Sequence, residues 1–325
     1  MKQLVAIFLI GCLLAVCPHA QAASASMPEI WFGMRATKAP EGRADWSRVF
    51  LQPDAPWPES LDHVQVIFAD AADVNDLSEE ELALVAARLR QHHLAFALGV
   101  LAQNWFGEAK CGNGVEGYSD PASNARVVAK LQAAGIPVRS ISMDEPLYFG
   151  HYYDGQNACL SSIDNVAERV SKILGLYLKA FPEASVIDTE PFPAISSHPS
   201  WQSDYQDWMI AFRAAVGRPL TALFIDINWP DARWEGSLGS IVSFAHRQSL
   251  RAGIIYWASP PGGADSNDQW LESAVQNFTH IENGMGIVPD IAIFTSWSKF
   301  PERSITNSSG LGEDYLVQQY LRMHQ

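Results

Sequence analysis

Acidic side chains follow three short apolar segments of this chain and could together carry out acid–base chemistry. Residues 140–146, 185–191 and 223–230 each run through β-branched and apolar residues, reach one or two carboxylates and end at a proline. Proline has no N–H for a sheet, so each segment predicts a buried strand that stops just after its acids. Carboxylates at neighbouring strand ends can supply a proton donor and a proton acceptor, or oxygen ligands for a metal ion.

Eight apolar segments predict the strands that position these acids. They lie at 30–34, 64–70, 94–100, 138–144, 185–190, 222–228, 254–259 and 291–297. Helical patterns alternate with them, at about 78–92, 121–134, 160–181, 201–216, 236–252, 267–283 and 313–323, with a weaker one near 46–50. An open doubly wound sheet would normally carry a glycine-rich phosphate loop directly after its first strand, and residues 35–45 contain none. The alternation predicts an α/β protein that forms a single (β/α)8 TIM barrel over residues 28–325.

The carboxyl ends of barrel strands meet at one mouth, where such folds hold their active sites. Side chains alternate along a strand, so Asp188 and Glu190 share one face of the fifth strand. The other acids belong to the ends of the fourth and sixth strands. Six polar residues are expected around the mouth: Asp144, Glu145, Asp188, Glu190, Asp226 and Asn228.

Cleavage of a glycosidic bond would use such a cluster, because it needs one carboxylic acid and one carboxylate. Crowding of like charges raises one pKa enough for that carboxyl group to keep its proton. We expect Glu145 to be the acid and either Glu190 or Asp226 to be the base or nucleophile. A separation of about 5 to 5.5 Å would indicate a retaining pair, and about 6.5 to 9.5 Å an inverting pair. Three residues are expected to support them: Asp144, Asp188 and Asn228.

The end of the fourth strand resembles a known motif. Asp144, Glu145 and Pro146 are similar to the Asn-Glu-Pro of the large clan of retaining (β/α)8 glycoside hydrolases, with Asp144 in place of Asn. The resemblance implies that Glu145 is the acid/base of a secreted barrel glycoside hydrolase. That clan carries its nucleophilic Glu at the end of the seventh strand, where residues 256–260 contain no acid. The second carboxylate is therefore sought on the fifth or sixth strand.

Aromatic residues near the same strand ends favour a carbohydrate ligand. Pyranose rings stack on the faces of Trp and Tyr, while acidic groups accept hydrogen bonds from hydroxyls. For any single aromatic residue, a place in the core is the alternative. Six aromatic residues are expected to bind the substrate: Trp105, Tyr118, Tyr148, Trp229, Trp257 and Trp297.

The N-terminus has the layout of a secretory signal peptide. A lysine at position 2 precedes an apolar run at 4–16, and a small-residue cleavage signature follows at 20–22. We expect residues 1–22 to be removed and the protein to be secreted or periplasmic. Cys111 and Cys159 then remain, and in an oxidising compartment they are expected to form a disulfide, with two buried thiols as the alternative.

The net charge of −14 disfavours nucleic acid and anionic membrane surfaces as partners. After the N-terminal run, no segment approaches the ~20 apolar residues of a membrane-spanning helix. The sequence also has no H-E-x-x-H zinc motif and no G-x-S-x-G elbow. We expect a monomer with a carbohydrate substrate, without a cofactor and without a metal site.

Two other functions remain open at this stage. Carboxylates from three adjacent strands could hold Mg²⁺ or Ca²⁺ and assist a lyase or phosphodiesterase reaction. A non-catalytic carbohydrate-binding barrel would keep the aromatic residues and cleave nothing. Some of the acids could instead be structural partners of Arg35 or Arg139.

Overall fold

Eight parallel strands that close into a barrel form the centre of the protein, in a computed structural model that describes residues 27–35, 40–104, 111–260 and 262–325. The first strand pairs with both the second and the eighth, which completes the ring. The predicted single (β/α)8 TIM barrel is confirmed. In chain order, and called the first to the eighth strand below, the strands are Glu29–Gly33, Val66–Asp70, Ala95–Val100, Val138–Asp144, Ser185–Phe192, Ala222–Ile227, Arg251–Ile255 and Ile291–Phe294.

Helices surround the barrel and alternate with its strands. They are Pro40–Trp46, Ala71–Asp76, Glu79–Gln91, Pro121–Ala134, Ile163–Ala180, Trp201–Val216, Arg233–Arg247, Asn267–Thr279 and Asp314–Met323. Ser78 and Glu81 form the capping box that their spacing predicts. The predicted signal peptide and Trp105 lie outside the described residues.

The connection into the seventh strand differs from the prediction. The preceding helix is Arg233–Arg247, and the strand is Arg251–Ile255. Ser249 has a φ of 61°, a left-handed conformation that ends the helix and lets the strand begin three residues earlier than predicted. Trp257 therefore lies beyond the strand, on the barrel mouth.

A second, small sheet that the sequence did not predict lies beside the barrel. It pairs Gln103–Asn104 with Tyr118–Ser119. A disulfide between Cys111 and Cys159 joins two loops beside this sheet. The two cysteines are 48 residues apart in the sequence, and their Cα atoms are 4.8 Å apart. The predicted disulfide is confirmed.

The hydrophobic core has two layers, one between the strands and the helices and one inside the barrel. The inner layer is made of Trp31, Val66, Ala97, Ile187, Ala222, Phe224, Ile255, Ile291 and Ile293. Trp31 and Phe224 meet edge to face across the axis, with ring centroids 5.1 Å apart. These bulky side chains pack against one another inside the barrel, so that its interior is a core and not a pore.

Candidate active site

A cavity of about 750 Å³ opens at the carboxyl ends of the strands, and six acids stand among the apolar, aromatic and neutral polar residues that line it. Arg35 is the one lysine or arginine among the described residues that line it. Carboxylate oxygens are hydrogen-bond acceptors, so such a surface suits a ligand with many hydroxyl donors. The acids lining it are Asp70, Asp76, Glu116, Asp144, Glu145 and Asp226.

Glu145 stands directly after the fourth strand, and the backbone there has an unusual conformation. Its φ is 48°, in the left-handed region that few residues other than glycine adopt, and only 6% of the residue is exposed. Its N–H donates to the carbonyl of Thr189 on the fifth strand (2.9 Å), which ties the strained turn to the barrel. Strain of this kind persists where the surroundings hold it, and it is frequent at functional sites.

The environment of Glu145 favours a protonated carboxyl group. Its pKa lies well above the ordinary value, first because the group is buried and second because Asp226 and Asp144 repel its negative charge. Glu116 and Glu190 add smaller repulsion. No hydrogen bond to this carboxyl group occurs within the described part of the chain, so nothing there stabilises its anion.

Asp226 has a different environment, although it lines the same cavity. Burial raises its pKa to about 7, and the negative charge of Glu116 contributes. The indole N–H of Trp257 donates to its Oδ1 at 2.8 Å, and this hydrogen bond favours the charged form. Of Glu145 and Asp226, Asp226 is therefore the one whose carboxylate is stabilised by a hydrogen-bond donor.

Asp144 and Asp70 extend the acidic surface toward the second strand. Burial and then the charge of Glu116 raise the pKa of Asp144 well above its ordinary value. The pKa of Asp70 rises to about 6, because burial and the neighbouring Asp73 outweigh the attraction of Arg35. The guanidinium of Arg35 lies 3.8 Å from the buried carboxylate of Asp73.

Asp188 and Glu190 share a face of the fifth strand, but that face points toward the helices. Asp188 is fully buried and its Oδ2 accepts hydrogen bonds from Tyr205 (2.7 Å) and Trp208 (2.8 Å). Burial raises the pKa of Asp188 to about 7 in spite of these bonds. Thr189 lines the cavity in its place, since it alternates with the two acids along the strand.

Glu190 also lies outside the cavity and has backbone partners. Its two carboxylate oxygens accept the N–H groups of Leu147 (2.7 Å) and Tyr148 (3.0 Å), and none of the residue is exposed. Burial and the charge of Asp188 raise its pKa well above the ordinary value. This position puts Glu190 behind the loop that follows Glu145, and the pair that faces one cavity is Glu145 and Asp226.

Two tryptophans form an aromatic wall beside Asp226. The rings of Trp257 and Trp297 lie 4.8 Å apart and are inclined by 45°. Trp297 is 43% exposed, so part of its ring is open to solvent and to a ligand in the cavity. Tyr148 lines the cavity as well, as does Asn228.

Two of the other aromatic residues that the sequence pointed to lie away from the cavity. Tyr118 is buried, and its hydroxyl accepts a hydrogen bond from Arg169 at 3.0 Å. Trp229 is buried in the core and packs edge to face on Trp234, at 5.3 Å. A side chain at a strand end can point into the cavity or into the core, and the sequence alone does not determine which.

Arg35 and Asp70 line the cavity without having been predicted to do so, and Glu116, which the sequence suggested for the cleft wall beside the disulfide, lines it as well. Asp70 ends the second strand and Arg35 follows the first, so the rule applied to the other strands would have found both. Glu116 belongs to the loop that the disulfide holds, and no periodic pattern marks it. Within the described residues, no three His, Cys, Asp or Glu side chains are arranged to hold a metal ion, and no helix there is long and apolar enough to cross a bilayer.

The sequence matches no protein family and no curated protein. In structure, the chain is similar to a GH10 endoxylanase retrieved from a sugarcane soil metagenome, with a TM-score of 0.53 and 11% identity over 93% of this chain and 98% of that one. It is also similar to an intracellular xylanase from Thermoanaerobacterium saccharolyticum, with a TM-score of 0.52 and 10% identity over 90% of this chain and 96% of the other. At these identities the likeness concerns the fold, and at that level it confirms the resemblance to barrel glycoside hydrolases.

Proposed function

We propose that this protein is a glycoside hydrolase that cleaves a poly- or oligosaccharide with Glu145 as general acid and Asp226 as base or nucleophile. One observation carries the proposal. The two carboxyl groups line the same cavity, and Trp257 donates a hydrogen bond to Asp226. Two acids with different surroundings are what this reaction needs, because one must hold a proton while the other is charged.

Glu145 would donate its proton to the glycosidic oxygen as the bond to the anomeric carbon breaks. Its burial and the repulsion by Asp226 keep that proton on the group in the free protein. Positioned acid catalysis of this kind contributes roughly 10²- to 10⁴-fold to a rate. The residue with this left-handed backbone lies directly after the fourth strand, among those that line the cavity.

Asp226 would either attack the anomeric carbon or remove a proton from the attacking water. Trp257 occupies Oδ1, which leaves Oδ2 to react. In the first case a covalent glycosyl intermediate forms and water releases it; in the second, hydrolysis takes one step with inversion. Identification of the first anomer released, by ¹H NMR, distinguishes the two.

The aromatic wall would bind a sugar ring next to the scissile bond. The exposed face of Trp297 offers the flat apolar surface on which a pyranose ring stacks. The neighbouring carboxylates would accept hydrogen bonds from its hydroxyls. Because the two similar structures are xylanases by name, xylan belongs among the first substrates to test.

A substrate screen tests the proposal. The mature protein, Glu145→Gln and Asp226→Asn are incubated with xylan, β-glucans, galactan, chitin and chitosan, and the release of reducing ends is followed. Glu80→Gln is the matched control, since it makes the same substitution at an exposed position on the helix Glu79–Gln91. We expect cleavage by the wild type and the control and a loss of at least about 10²-fold in both site variants. Equal turnover by Glu145→Gln would refute the assignment of the acid.

The same screen separates the two alternatives. A metal-dependent lyase or phosphodiesterase would lose activity on treatment with chelator and regain it with Mg²⁺ or Ca²⁺. A non-catalytic carbohydrate-binding barrel would retain polysaccharide in affinity electrophoresis, equally well with Glu145→Gln, and would release no reducing ends. The carboxylates from two strands and the shared cavity favour hydrolysis over both.

We also propose that the protein is exported and acts as a monomer. The basic and apolar N-terminal segment and the disulfide between Cys111 and Cys159 support export, because disulfides persist in oxidising compartments. N-terminal sequencing of the protein recovered from periplasm and medium tests it, with cleavage expected after residue 22. Light scattering gives the mass in solution.

A further inference from the structure

The turn that follows Glu145 is held by a carboxylate that the proposed reaction does not use. Glu190 is fully buried on the helix-facing side of the fifth strand. One of its oxygens accepts the N–H of Leu147 at 2.7 Å and the other accepts the N–H of Tyr148 at 3.0 Å. Both oxygens are therefore committed to backbone groups two and three residues beyond the proposed acid.

Other bonds fix the same turn from its remaining sides. The Glu145 carbonyl accepts the N–H of Phe149 at 3.1 Å, and the Pro146 carbonyl accepts Nε2 of Gln103 at 3.0 Å. Pro146 also has a restricted φ and no N–H of its own. Together with the bond from the Glu145 N–H to Thr189, these contacts keep the residue in its left-handed conformation.

We propose that Glu190 is a positioning residue, whose carboxylate anchors the amides of Leu147 and Tyr148 and so holds Glu145 at the cavity rim. This inference rests on the proposed role of Glu145 as acid. Unlike Glu145, Glu190 has two amide donors that favour its ionised form against the effect of burial. Hydrogen bonds from two amides to one carboxylate fix its direction as well as its distance. A misplacement of about 1 Å at a reacting group can lower a rate by 10²-fold.

The charge of Glu190 has a second effect on Glu145. It is one of the negative groups that raise the pKa of that residue, so its removal should lower the pKa of Glu145. The ionisable groups that face the two glutamates from the surrounding strands and loops act in the same field. They are Glu116, Asp144, Tyr148, Tyr152, Asp188, Tyr205 and Asp226.

The test uses Glu190→Gln, which has the same shape but only one acceptor atom. Its amide N–H₂ group would face one of the two backbone N–H groups, so one hydrogen bond is lost. We expect kcat to fall roughly 10- to 100-fold with KM nearly unchanged, because the substrate does not touch this residue. The basic limb of the pH profile should move to lower pH, since the proton of Glu145 is held less tightly.

A second variant covers the case in which Glu190→Gln does not fold. Glu190→Asp keeps the charge but is one methylene shorter, so it cannot reach both amides in the same geometry. We expect a lower kcat with the basic limb close to that of the wild type. Asp45→Asn is the matched control for stability, because Asp45 is also buried and accepts two backbone N–H groups, at 3.0 and 3.1 Å, outside the cavity. Asp45→Asn should lower the free energy of unfolding and leave the basic limb of the pH profile in place.

Rescue by small anions distinguishes a positioning residue from a catalytic one. Azide or formate can enter the cavity and replace a missing carboxylate in Asp226→Ala, and we expect the activity of that variant to rise. Glu190→Ala should not respond, because its site lies behind the loop. Rescue of Glu190→Ala, or a wild-type kcat in Glu190→Gln, would overturn the proposal.

A readout without substrate separates this inference from the proposed function. The pKa of Glu145 is measured by ¹³C NMR of the labelled side-chain carboxyl group, in the wild type and in Glu190→Gln. A lower pKa in the variant is expected whether or not a substrate has been found. The pKa of Glu145 depends first on its burial, so a displaced Glu145 must titrate differently. An unchanged pKa would therefore overturn the positioning role, whereas a failed substrate screen would count against hydrolysis alone.

Discussion

The indole N–H of Trp257 lowers the pKa of Asp226, so its removal should shift the pH dependence of the proposed reaction. Trp257→Phe keeps an aromatic ring beside Trp297 but removes the N–H that lies 2.8 Å from Oδ1. That N–H stabilises the charged form of Asp226, whose pKa burial raises to about 7. Without the donor, the anion is less stable and the pKa of Asp226 must rise further.

The size of the rise follows from the strength of such a bond. A hydrogen bond to a charged group contributes about 1.5 to 3 kcal/mol, and one pKa unit corresponds to about 1.4 kcal/mol, so complete loss would raise the pKa by about 1 to 2 units. Water at the half-open mouth can replace part of the bond, so we expect about one unit. The reaction needs ionised Asp226, and the acid limb of the profile of kcat/KM against pH should move from about 7 to about 8.

The assay is the pH dependence of kcat/KM on the best substrate of the screen, for the wild type, Trp257→Phe and Trp297→Phe. Trp297 lines the same cavity, but the described structure contains no hydrogen bond from it to Asp226, so its variant should alter KM and leave the acid limb in place. An acid limb at the wild-type pH in Trp257→Phe, with activity retained, would refute the assignment of this limb to Asp226.

Three further predictions concern the aromatic wall, a buried acid and the disulfide. Trp297→Ala should raise KM for a polysaccharide roughly 2- to 10-fold in initial-rate measurements, because stacking contributes about 0.5 to 1.5 kcal/mol; a fall in kcat alone would contradict this. Asp188 has a pKa of about 7 in the fold, so the native state binds the extra proton and the free energy of unfolding falls from pH 4 to pH 8, by on the order of 4 kcal/mol. Asp188→Asn should reduce that fall in urea titrations at the two pH values, and an unchanged difference would exclude this residue as its cause. Replacement of Cys111 and Cys159 by Ser opens a loop that spans 48 residues and should lower the free energy of unfolding by about 4 kcal/mol, measured by the same method; equal stability would show that the loops need no cross-link.

The fold could be predicted because its signals are local and repeat along the chain. A strand such as Ile291–Phe294 is apolar throughout, and the helix Glu79–Gln91 begins at a capping box whose residues can be identified in the sequence. Errors arose where a single backbone conformation decides a boundary. The left-handed Ser249 ends one helix early and moves the start of the next strand, and serine as a residue type does not predict this conformation.

The candidate site was predictable only in part. Polar residues after a strand mark the mouth, and the cavity contains Asp144, Glu145 and Asp226 as a consequence. The sequence also predicts that Tyr118 and Trp229 lie at that mouth, yet both side chains are buried in the core. The direction of a side chain after the last strand residue depends on the loop that follows, and long loops carry no periodic pattern.

The fifth strand shows which part of the site follows from the local sequence and which part requires the closed barrel. The alternation of side chains determines from sequence alone that Asp188 and Glu190 share a face. It does not determine which face, because both sides of a barrel strand are buried: Val186 packs toward the helices and Ile187 toward the axis, and both are apolar. Only closure of the barrel turns the two acids toward the helices, where Asp188 accepts a hydrogen bond from Tyr205 and Glu190 accepts one from the Leu147 N–H. Of the two predicted partners of Glu145, Asp226 is therefore the one that lines its cavity.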